Sequence, residues 1–195
     1  MKTDIVLAGV GGQGILSVAT ILGVAALKED LNIKQAEVHG MSQRGGDVQS
    51  NLRISSAPIH SDLIPKGEAD LIISLEPMEA LRYLPILSPE GWIITSTAPI
   101  VNIPNYPEIK EIEAELRKSD NLIAFDMEEM AKDVASPRSS NMVLLGAASH
   151  FIEITPDKIE AAIRSVFSSK GDSVVEANIN AFRAGREKAD SFIAK

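Results

Sequence analysis

The sequence contains no cysteine among its 195 residues. This absence excludes a disulfide framework, a cysteine-ligated zinc or iron–sulfur site and a cysteine nucleophile. Thiol usage is also the usual indicator of a redox compartment, so that indicator is missing here. The length is typical of one domain that buries a core without covalent cross-links.

Aromatic and basic side chains are also scarce. Phe, Trp and Tyr make up 4% of the residues, and 19 lysines and arginines stand against 27 aspartates and glutamates, giving a formal charge of −8. A nucleic-acid surface needs basic stripes and stacking rings, so this composition argues against nucleic-acid binding. The remaining composition, 45% hydrophobic and 24% charged, is typical of a soluble globular protein.

The excess of negative charge is confined to the middle of the chain. Residues 66–135 carry fourteen acidic and six basic side chains, whereas the segments on either side are close to neutral. Solvated helix faces and acidic first turns account for such a distribution in most proteins. An acidic docking face for a basic partner is the alternative interpretation.

Charged residues are absent between Asp4 and Lys28, yet this run does not indicate a membrane span. Five glycines and Gln13 interrupt it, and no convincing cleavage site for a signal peptide follows it. The pattern instead predicts a strand at residues 4–8, a glycine turn and a helix at about residues 14–27. We therefore expect no membrane role, and the absence of a signal peptide predicts a cytoplasmic protein.

The predicted helix at residues 14–27 is apolar nearly all round, because only Ser17 and Thr20 break its hydrophobic surface. Such a helix has to be covered on two sides. One cover is the sheet that it follows. The other is a helix of the same chain or another subunit, so the isolated chain has a reason to form a homo-oligomer.

Strand and helix signals alternate along the rest of the chain until about residue 139, and only helix signals follow. Strands are predicted at 35–39, 48–55, 70–75, 92–95 and 122–125, the fourth of them after a turn at 88–91. Helices are predicted from Pro77 to before Pro85 and at about 108–118, 140–152, 157–168 and 173–193. Candidate N-caps for the last three helices are Ser139 or Ser140, Thr155 and Asp172.

No repeat or domain-sized linker divides the chain, and residues 135–139 are the best candidate hinge. The alternation predicts a single domain over residues 1–195 of the α/β class. Its architecture is expected to be Rossmann-like, with three αβα layers, a mostly parallel sheet and a helical C-terminal quarter.

The first motif with chemical meaning is Gly9-Val10-Gly11-Gly12-Gln13-Gly14. Its position after a strand and before a helix suits an anion held by the helix N-terminus, although a tight turn that binds nothing also has this form. Glu37 matches the acid that binds a ribose hydroxyl in dinucleotide folds, so a free-standing NAD or FAD oxidoreductase is an alternative. The short chain and the polar loop after Glu37 argue against it. An ATP-dependent adenylating fold is a further alternative, but the thiol and zinc ligands common in such enzymes are missing.

The second motif is the loop at residues 37–46, which ends in Arg44-Gly45-Gly46. Arg44 presents a planar cation beside exposed backbone N–H groups, a good receptor for a phosphate or carboxylate. The alternative is a long turn in which Arg44 bonds only to backbone carbonyls. The three histidines share no spacing that indicates a metal site, and no Ser/His/acid arrangement indicates a self-sufficient active site.

Four ordered segments together resemble one protein family. They are residues 9–15 (GVGGQGI), residues 44–55 (RGGDVQSNLRIS), residues 141–146 (NMVLLG), and Asn178, Ala181, Phe182 and Gly185 near the end. This pattern is similar to the gamma subunit, or catalytic gamma domain, of 2-oxoacid:ferredoxin oxidoreductases and extends over about residues 4–186. The loop HGMSQRGG at residues 39–46 most resembles the small, beta subunit of the indolepyruvate branch.

The resemblance implies that this chain is one subunit of an enzyme and is inactive without its partner. The enzyme would oxidatively decarboxylate an aryl 2-oxoacid to acyl-CoA and CO2 while reducing ferredoxin. Thiamine diphosphate, Mg²⁺ and the [4Fe–4S] clusters would lie in the large, alpha-type subunit. The small subunit would pack beside that site and help to hold coenzyme A.

The resemblance also assigns roles to residues. The first motif would offer backbone groups to a phosphate or to the partner's site, through Gly9, Gly11, Gly12, Gln13 and Gly14. Arg44 would be the catalytic residue, on a facing loop with Gly45 and Gly46. Asn141 would cap or orient the helix behind these loops, and the chain itself would bind no metal.

Overall fold

A six-stranded mixed sheet forms the centre of the computed structural model, which describes residues 1–39 and 45–194. Its strands are β1 (Lys2–Val10), β2 (Asn32–His39), β3 (Asp47–Ser55), β4 (Ala69–Ser74), β5 (Leu87–Ser96) and β6 (Leu122–Phe125). The order across the sheet is β2-β3-β1-β4-β5-β6. β1, β4, β5 and β6 run parallel, and β3 runs antiparallel to both β1 and β2.

Helices cover both faces of this sheet. They are α1 (Ile15–Leu27), α2 (Pro77–Arg82), α3 (Ile109–Leu116), α4 (Met127–Val134), α5 (Ser140–Ala148), α6 (Pro156–Phe167) and α7 (Asp172–Ile193). α2 and α3 contribute to the core on one face, and α1 and α4 to α7 contribute to the core on the other. These three layers, the parallel strands and the helical end of the chain confirm the predicted fold class.

The uncharged first strand is apolar because both of its faces are buried. Ile5 and Leu7 pack into the core beneath α1 and α5, whereas Val6 and Ala8 pack into the core beneath α2. All four side chains have no exposed surface. A strand between two helical layers has no face left for polar side chains, which explains the continuous hydrophobic run.

Within the chain, α1 is covered on both sides. It packs on β1, β2 and β3 and contacts α5 and α6 on its other side. For the side of α1 that faces away from the sheet, the sequence left open a helix of the same chain or another subunit. The structure shows helices of the same chain on that side. Among the residues that the structure describes, no helix combines the length and the apolarity that crossing a bilayer requires.

Two glycines allow α5 and α7 to cross in close contact. A Cβ atom at Gly146 would lie 1.9 Å from the carbonyl oxygen of Phe182, and one at Gly185 would lie 2.0 Å from that of Val143. No side chain fits at either position, so the backbones themselves form the contact. The glycines of the last two family-like segments therefore have a packing role.

The structure corrects the predicted start of β5. Residues 88–91, interpreted as a turn, continue the strand, which begins at Leu87 and pairs with Ala69 across a register irregularity. A Cβ atom at Gly91 would lie 2.8 Å from the carbonyl oxygen of Ala69. The proline and glycine therefore mark a bulge with close backbone approach and not a chain reversal.

Two of the three predicted N-caps are confirmed, and one predicted cap and one helix end are wrong. Ser139 and Thr155 occupy the N-cap positions of α5 and α6 as predicted, although neither side chain makes a capping hydrogen bond. Gly171 precedes α7 where Asp172 was the expected cap, and Asp172 lies in the first turn. α5 ends at Ala148, and a short 3-10 helix continues to Phe151.

Candidate functional site

The glycine motif lies at the carboxyl edge of the sheet, where it begins in the last two residues of β1 and continues into the turn after it. From β1 the chain crosses to the face covered by α1, and from the adjacent strand β4 it crosses to the face covered by α2. This divergence between neighbouring parallel strands opens a crevice at their carboxyl ends, which is where ligands bind in open α/β sheets.

Gln13 holds the glycine turn in place. Its Oε1 accepts a hydrogen bond from the backbone N–H of Val10 at 2.7 Å, and its Nε2 donates to the carbonyl oxygen of Leu75 at 2.9 Å. One side chain thus joins the ends of β1 and β4 at the point where they diverge. Gly12 and Gly14 have φ angles of 107° and 77°, which disfavour residues with a Cβ atom.

The second motif continues this structure from the neighbouring strand β3. The backbone N–H of Gly11 donates to the carbonyl oxygen of Gly46 at 2.8 Å, and that of Gly45 donates to the carbonyl oxygen of Gly11 at 3.3 Å. These two bonds, the glycine ladder, extend the pairing of β1 and β3 beyond the strands. Arg44 itself lies outside the described residues.

Asn141, in the first turn of α5, connects this helix to the start of α1. Its Nδ2 donates to the carbonyl oxygen of Gly14 at 3.1 Å, and a Cβ atom at Gly14 would lie 3.0 Å from that nitrogen. The Oδ1 of Asn141 is buried and has no hydrogen-bond partner among the described residues. The site therefore contains an acceptor that no described residue satisfies and that a water or ligand donor would pair with.

A cleft of about 970 Å³ opens over the glycine turn. This volume is within the usual range for small-molecule and cofactor sites. Its walls come from the turn after β1, the starts of α1, α5 and α7, and the end of α6. The lining includes Gly11, Gly12, Gln13, Gly14, Ser17, Gly45, Ile100, Arg138, Ser139, Ser140, Asn141, Phe167, Lys170, Ser173 and Val174.

The electrostatics of the cleft favour an anion. The N-cap residues of α1, α5 and α7 make no side-chain capping bond, so no capping side chain offsets the partial positive charge at these helix N-termini. Arg138 and Lys170 add two cations at the wall, and neither forms an ion pair with a carboxylate in the described part of the chain. Glu128 is the acidic residue of the lining.

Most of the predicted site residues lie around this one cleft. Six of them line it, namely Gly11, Gly12, Gln13, Gly14, Gly45 and Asn141. Gly9 lies behind the lining in β1, where a Cβ atom would be 3.0 Å from the Oε1 of Gln13. Gly46 contributes its carbonyl oxygen to the glycine ladder.

Arg138, Lys170 and the serines of the cleft were not predicted from the sequence. Arg138 belongs to the segment interpreted as a hinge, which forms a short 3-10 helix, Pro137–Ser139, directly before α5. Arg138 could have been predicted as a site residue from its position three residues before Asn141, which was itself a predicted site residue. Lys170 carried no local signal, because only the packing of α6 and α7 brings it to the cleft.

Sheet topology separates Glu37 from the glycine turn. β3 lies between β1 and β2, and the register aligns Glu37 with Ser50 and Ser50 with Leu7. Two strand spacings place Glu37 about 10 Å from β1 across the sheet. In a dinucleotide site, by contrast, the ribose-binding acid lies on a strand next to β1. The topology therefore argues against the NAD or FAD alternative.

Comparison with known proteins agrees with this geometry. A family model described as pyruvate ferredoxin/flavodoxin oxidoreductase matches residues 4–188. The chain is 39% identical over 192 residues to indolepyruvate oxidoreductase subunit IorB of Methanothermobacter thermautotrophicus. That match covers 95% of this chain and 96% of the relative.

Two solved structures have the same fold. The gamma subunit of a keto/oxoacid ferredoxin oxidoreductase from Geobacter sulfurreducens PCA is 25% identical, with a TM-score of 0.74 over 98% of both chains. A 2-oxoglutarate:ferredoxin oxidoreductase from Magnetococcus marinus, solved with 2-oxoglutarate, coenzyme A and succinyl-CoA bound, is 23% identical with a TM-score of 0.76. This chain corresponds to 31% of that longer chain. With its family match over nearly the whole length, the chain belongs to the pyruvate ferredoxin/flavodoxin oxidoreductase family.

Proposed function

We propose that this chain is the small, cluster-free subunit of a thiamine-diphosphate-dependent 2-oxoacid:ferredoxin oxidoreductase of the indolepyruvate type. The observation that carries the proposal is the anion-favouring cleft at the glycine turn, in a chain 39% identical to an indolepyruvate oxidoreductase subunit. The assembled enzyme would convert an aryl 2-oxoacid to acyl-CoA and CO2 and reduce ferredoxin. This electron acceptor also supports the expected cytoplasmic location.

Coenzyme A is the ligand that we assign to the cleft. Its phosphates match the partial positive charge of three uncapped helix N-termini and the cations Arg138 and Lys170. Coenzyme A also has amide N–H and hydroxyl groups that could donate a hydrogen bond to the buried Oδ1 of Asn141, which has no donor among the described residues. Ile100, Phe167 and Val174 supply apolar surface for the uncharged parts of the molecule.

Within this site the chain's own residues bind and orient. The glycine turn brings backbone N–H groups close to a phosphate, and Asn141 fixes the start of α1 relative to α5. Arg44, the residue before Gly45, would bind a negative charge of the substrate or of coenzyme A. Coenzyme A supplies the thiol that accepts the acyl group.

The remaining chemistry is assigned to a large, alpha-type subunit. With no cysteine, this chain has no thiolate for an iron–sulfur cluster. Thiamine diphosphate, Mg²⁺ and the [4Fe–4S] clusters would therefore be held by the partner, which also passes electrons to ferredoxin. Such cofactors carry the difficult chemistry, and the protein supplies binding and orientation.

The assignment of coenzyme A is tested by neutralising the two cations in the complex with the large subunit. Arg138→Gln and Lys170→Gln should each raise the KM for coenzyme A about tenfold, because each removes a charge-assisted hydrogen bond to a phosphate. The KM for the 2-oxoacid should stay constant, since the partner holds that substrate. Lys110→Gln, on the exposed surface of α3, is the matched control.

Two outcomes would contradict this assignment. Unchanged coenzyme A kinetics in both cleft variants would place the ligand elsewhere, and an equal change in both KM values would indicate a general loss of structure. Turnover of indolepyruvate, phenylpyruvate and a branched-chain 2-oxoacid by the unmodified complex would identify the preferred substrate.

A further inference from the structure

The segment at residues 97–107, here called the strap, runs from the end of β5 to α3. It starts at the same carboxyl edge of the sheet as the cleft. Ile100 of the strap contributes to the cleft wall. Two residues further on, the Nδ2 of Asn102 donates to the carbonyl oxygen of Gly45 at 2.7 Å. The strap thus contacts both the ligand cleft and the backbone of the glycine ladder.

Glu76 anchors the strap from the interior of the protein. It follows β4, has no exposed surface, and its Oε2 accepts the backbone N–H of Glu79 at 2.8 Å as the N-cap of α2. Its Oε1 accepts the Tyr106 hydroxyl and the backbone N–H of Ile100, the latter at 3.4 Å. One buried carboxylate therefore holds the strap at two points, one near each end.

The hydrogen bond from Tyr106 is available at any physiological pH. Burial raises the pKa of Tyr106, and the bond to Glu76 raises this pKa further. The hydroxyl consequently stays protonated and remains a donor to the carboxylate. The buried carboxylate of Glu76 accepts hydrogen bonds from Tyr106 and from the backbone N–H groups of Glu79 and Ile100. Because its hydrogen-bonding capacity is satisfied, we expect it to hold the strap in one position.

We propose that Asn102, held through the strap by Glu76 and Tyr106, is a positioning residue for the glycine ladder. The contacts run from Glu76 to Tyr106 and Ile100, along the strap to Asn102, and from Asn102 to Gly45. Gly45 bonds to Gly11 and directly follows Arg44 in the sequence, so the strap fixes the described backbone next to Arg44. The catalytic consequence rests on the function proposed above, whereas the structural consequence does not.

The sequence of the strap offers a matched pair for the test. Asn102 and Asn105 are exposed amides in the same segment, and Asn105 makes no side-chain hydrogen bond to the described residues. If the strap were only a connection between β5 and α3, replacing either amide with alanine would have the same effect. If Asn102 positions Gly45, replacing Asn102 will change turnover and hydrogen exchange, whereas replacing Asn105 will not.

In the complex with the large subunit, Asn102→Ala should lower kcat about three- to tenfold, the usual effect of one lost hydrogen bond. Backbone hydrogen exchange at Gly11 and Gly45 should accelerate by a similar factor, while the melting temperature and assembly stay constant. Asn105→Ala should match the unmodified complex in every measurement. Tyr106→Phe, which keeps the ring and removes only the hydroxyl, should reproduce the effect of Asn102→Ala more weakly.

Exchange and turnover separate the two proposals. Equal exchange in Asn102→Ala and Asn105→Ala would overturn the positioning role, and so would faster exchange with unchanged turnover. A complex that oxidises none of the 2-oxoacids would contradict the proposed function, while the exchange comparison would still test the anchoring by the strap.

Discussion

Tyr83 is buried, Tyr106 is partly buried, and both tyrosines of the chain lie near carboxylates. Burial raises the pKa of Tyr83 to about 12, and the charges of Glu79 and Asp47 contribute to that increase. Burial and the bond to Glu76 raise the pKa of Tyr106 as well. Each hydroxyl therefore stays protonated in the folded chain at a pH where it ionises in the unfolded chain.

These two tyrosines predict a loss of stability in alkaline solution. The unfolded chain releases both protons near pH 10, whereas the folded chain retains them to about pH 12 at Tyr83. Between these values the folded state binds more protons, so the free energy of unfolding falls as the pH rises. Urea unfolding of the purified chain at about pH 8 and about pH 11 measures this fall. Tyr106→Phe should reduce it, and an identical fall in the variant would refute the assignment to Tyr106.

Arg44 is the residue for which the resemblance predicts the largest effect on turnover. Arg44→Ala in the complex should lower kcat by about a hundredfold or more, because a permanently charged group at the site is lost. Co-purification with the large subunit should be unaffected. Arg117→Ala, an exposed residue paired with Glu113 on α3, serves as control. Unchanged kinetics in Arg44→Ala would reduce the loop to a structural role.

At the scale of elements, the close crossing of α5 and α7 positions the starts of both helices beside the cleft, where they form part of its lining. α5 contributes Asn141 and α7 contributes Ser173 and Val174 to the lining. The two helices reach this position because Gly146 and Gly185 let their backbones touch. A wider crossing would move both helix starts away from the glycine turn.

Replacing either glycine of this crossing should be severely destabilising. Gly146→Ala should lower the free energy of unfolding by about 3 kcal/mol or more, because the new methyl group overlaps the backbone of Phe182. Gly23→Ala in α1 is the matched control, since its Cβ meets only the end of the Ile33 side chain at 3.2 Å. Its effect should stay within about 1 kcal/mol, because alanine favours the helix. Equal losses in urea unfolding would contradict the packing argument.

The sequence predicts elements well where one local pattern decides them. The buried run of β1, the glycine turn and the four residues of β6 were all visible in this way. β5 was predicted too short, because its first residues depend on pairing with Ala69 and not on their own propensities. Lys170 was missed for the same reason, since α6 and α7 are far from the glycine turn in sequence and meet it only in the fold.

At the scale of the whole molecule, the proposed function requires a subunit that forms only part of an active site. The cleft, the glycine ladder and the strap lie at one edge of the sheet, where a partner has access to all of them. Under the proposed function, the absence of cysteine leaves the clusters and the electron-transfer steps to that partner. The purified chain should accordingly be colourless.

Reconstitution with the large subunit from the same organism tests the proposed subunit role most directly. The co-purified complex should reduce ferredoxin and form acyl-CoA from indolepyruvate and coenzyme A. The large subunit alone should do so at less than about a hundredth of that rate, because it lacks the cleft proposed to bind coenzyme A. A large subunit that is equally active alone, or that forms no stable complex with this chain, would contradict the account.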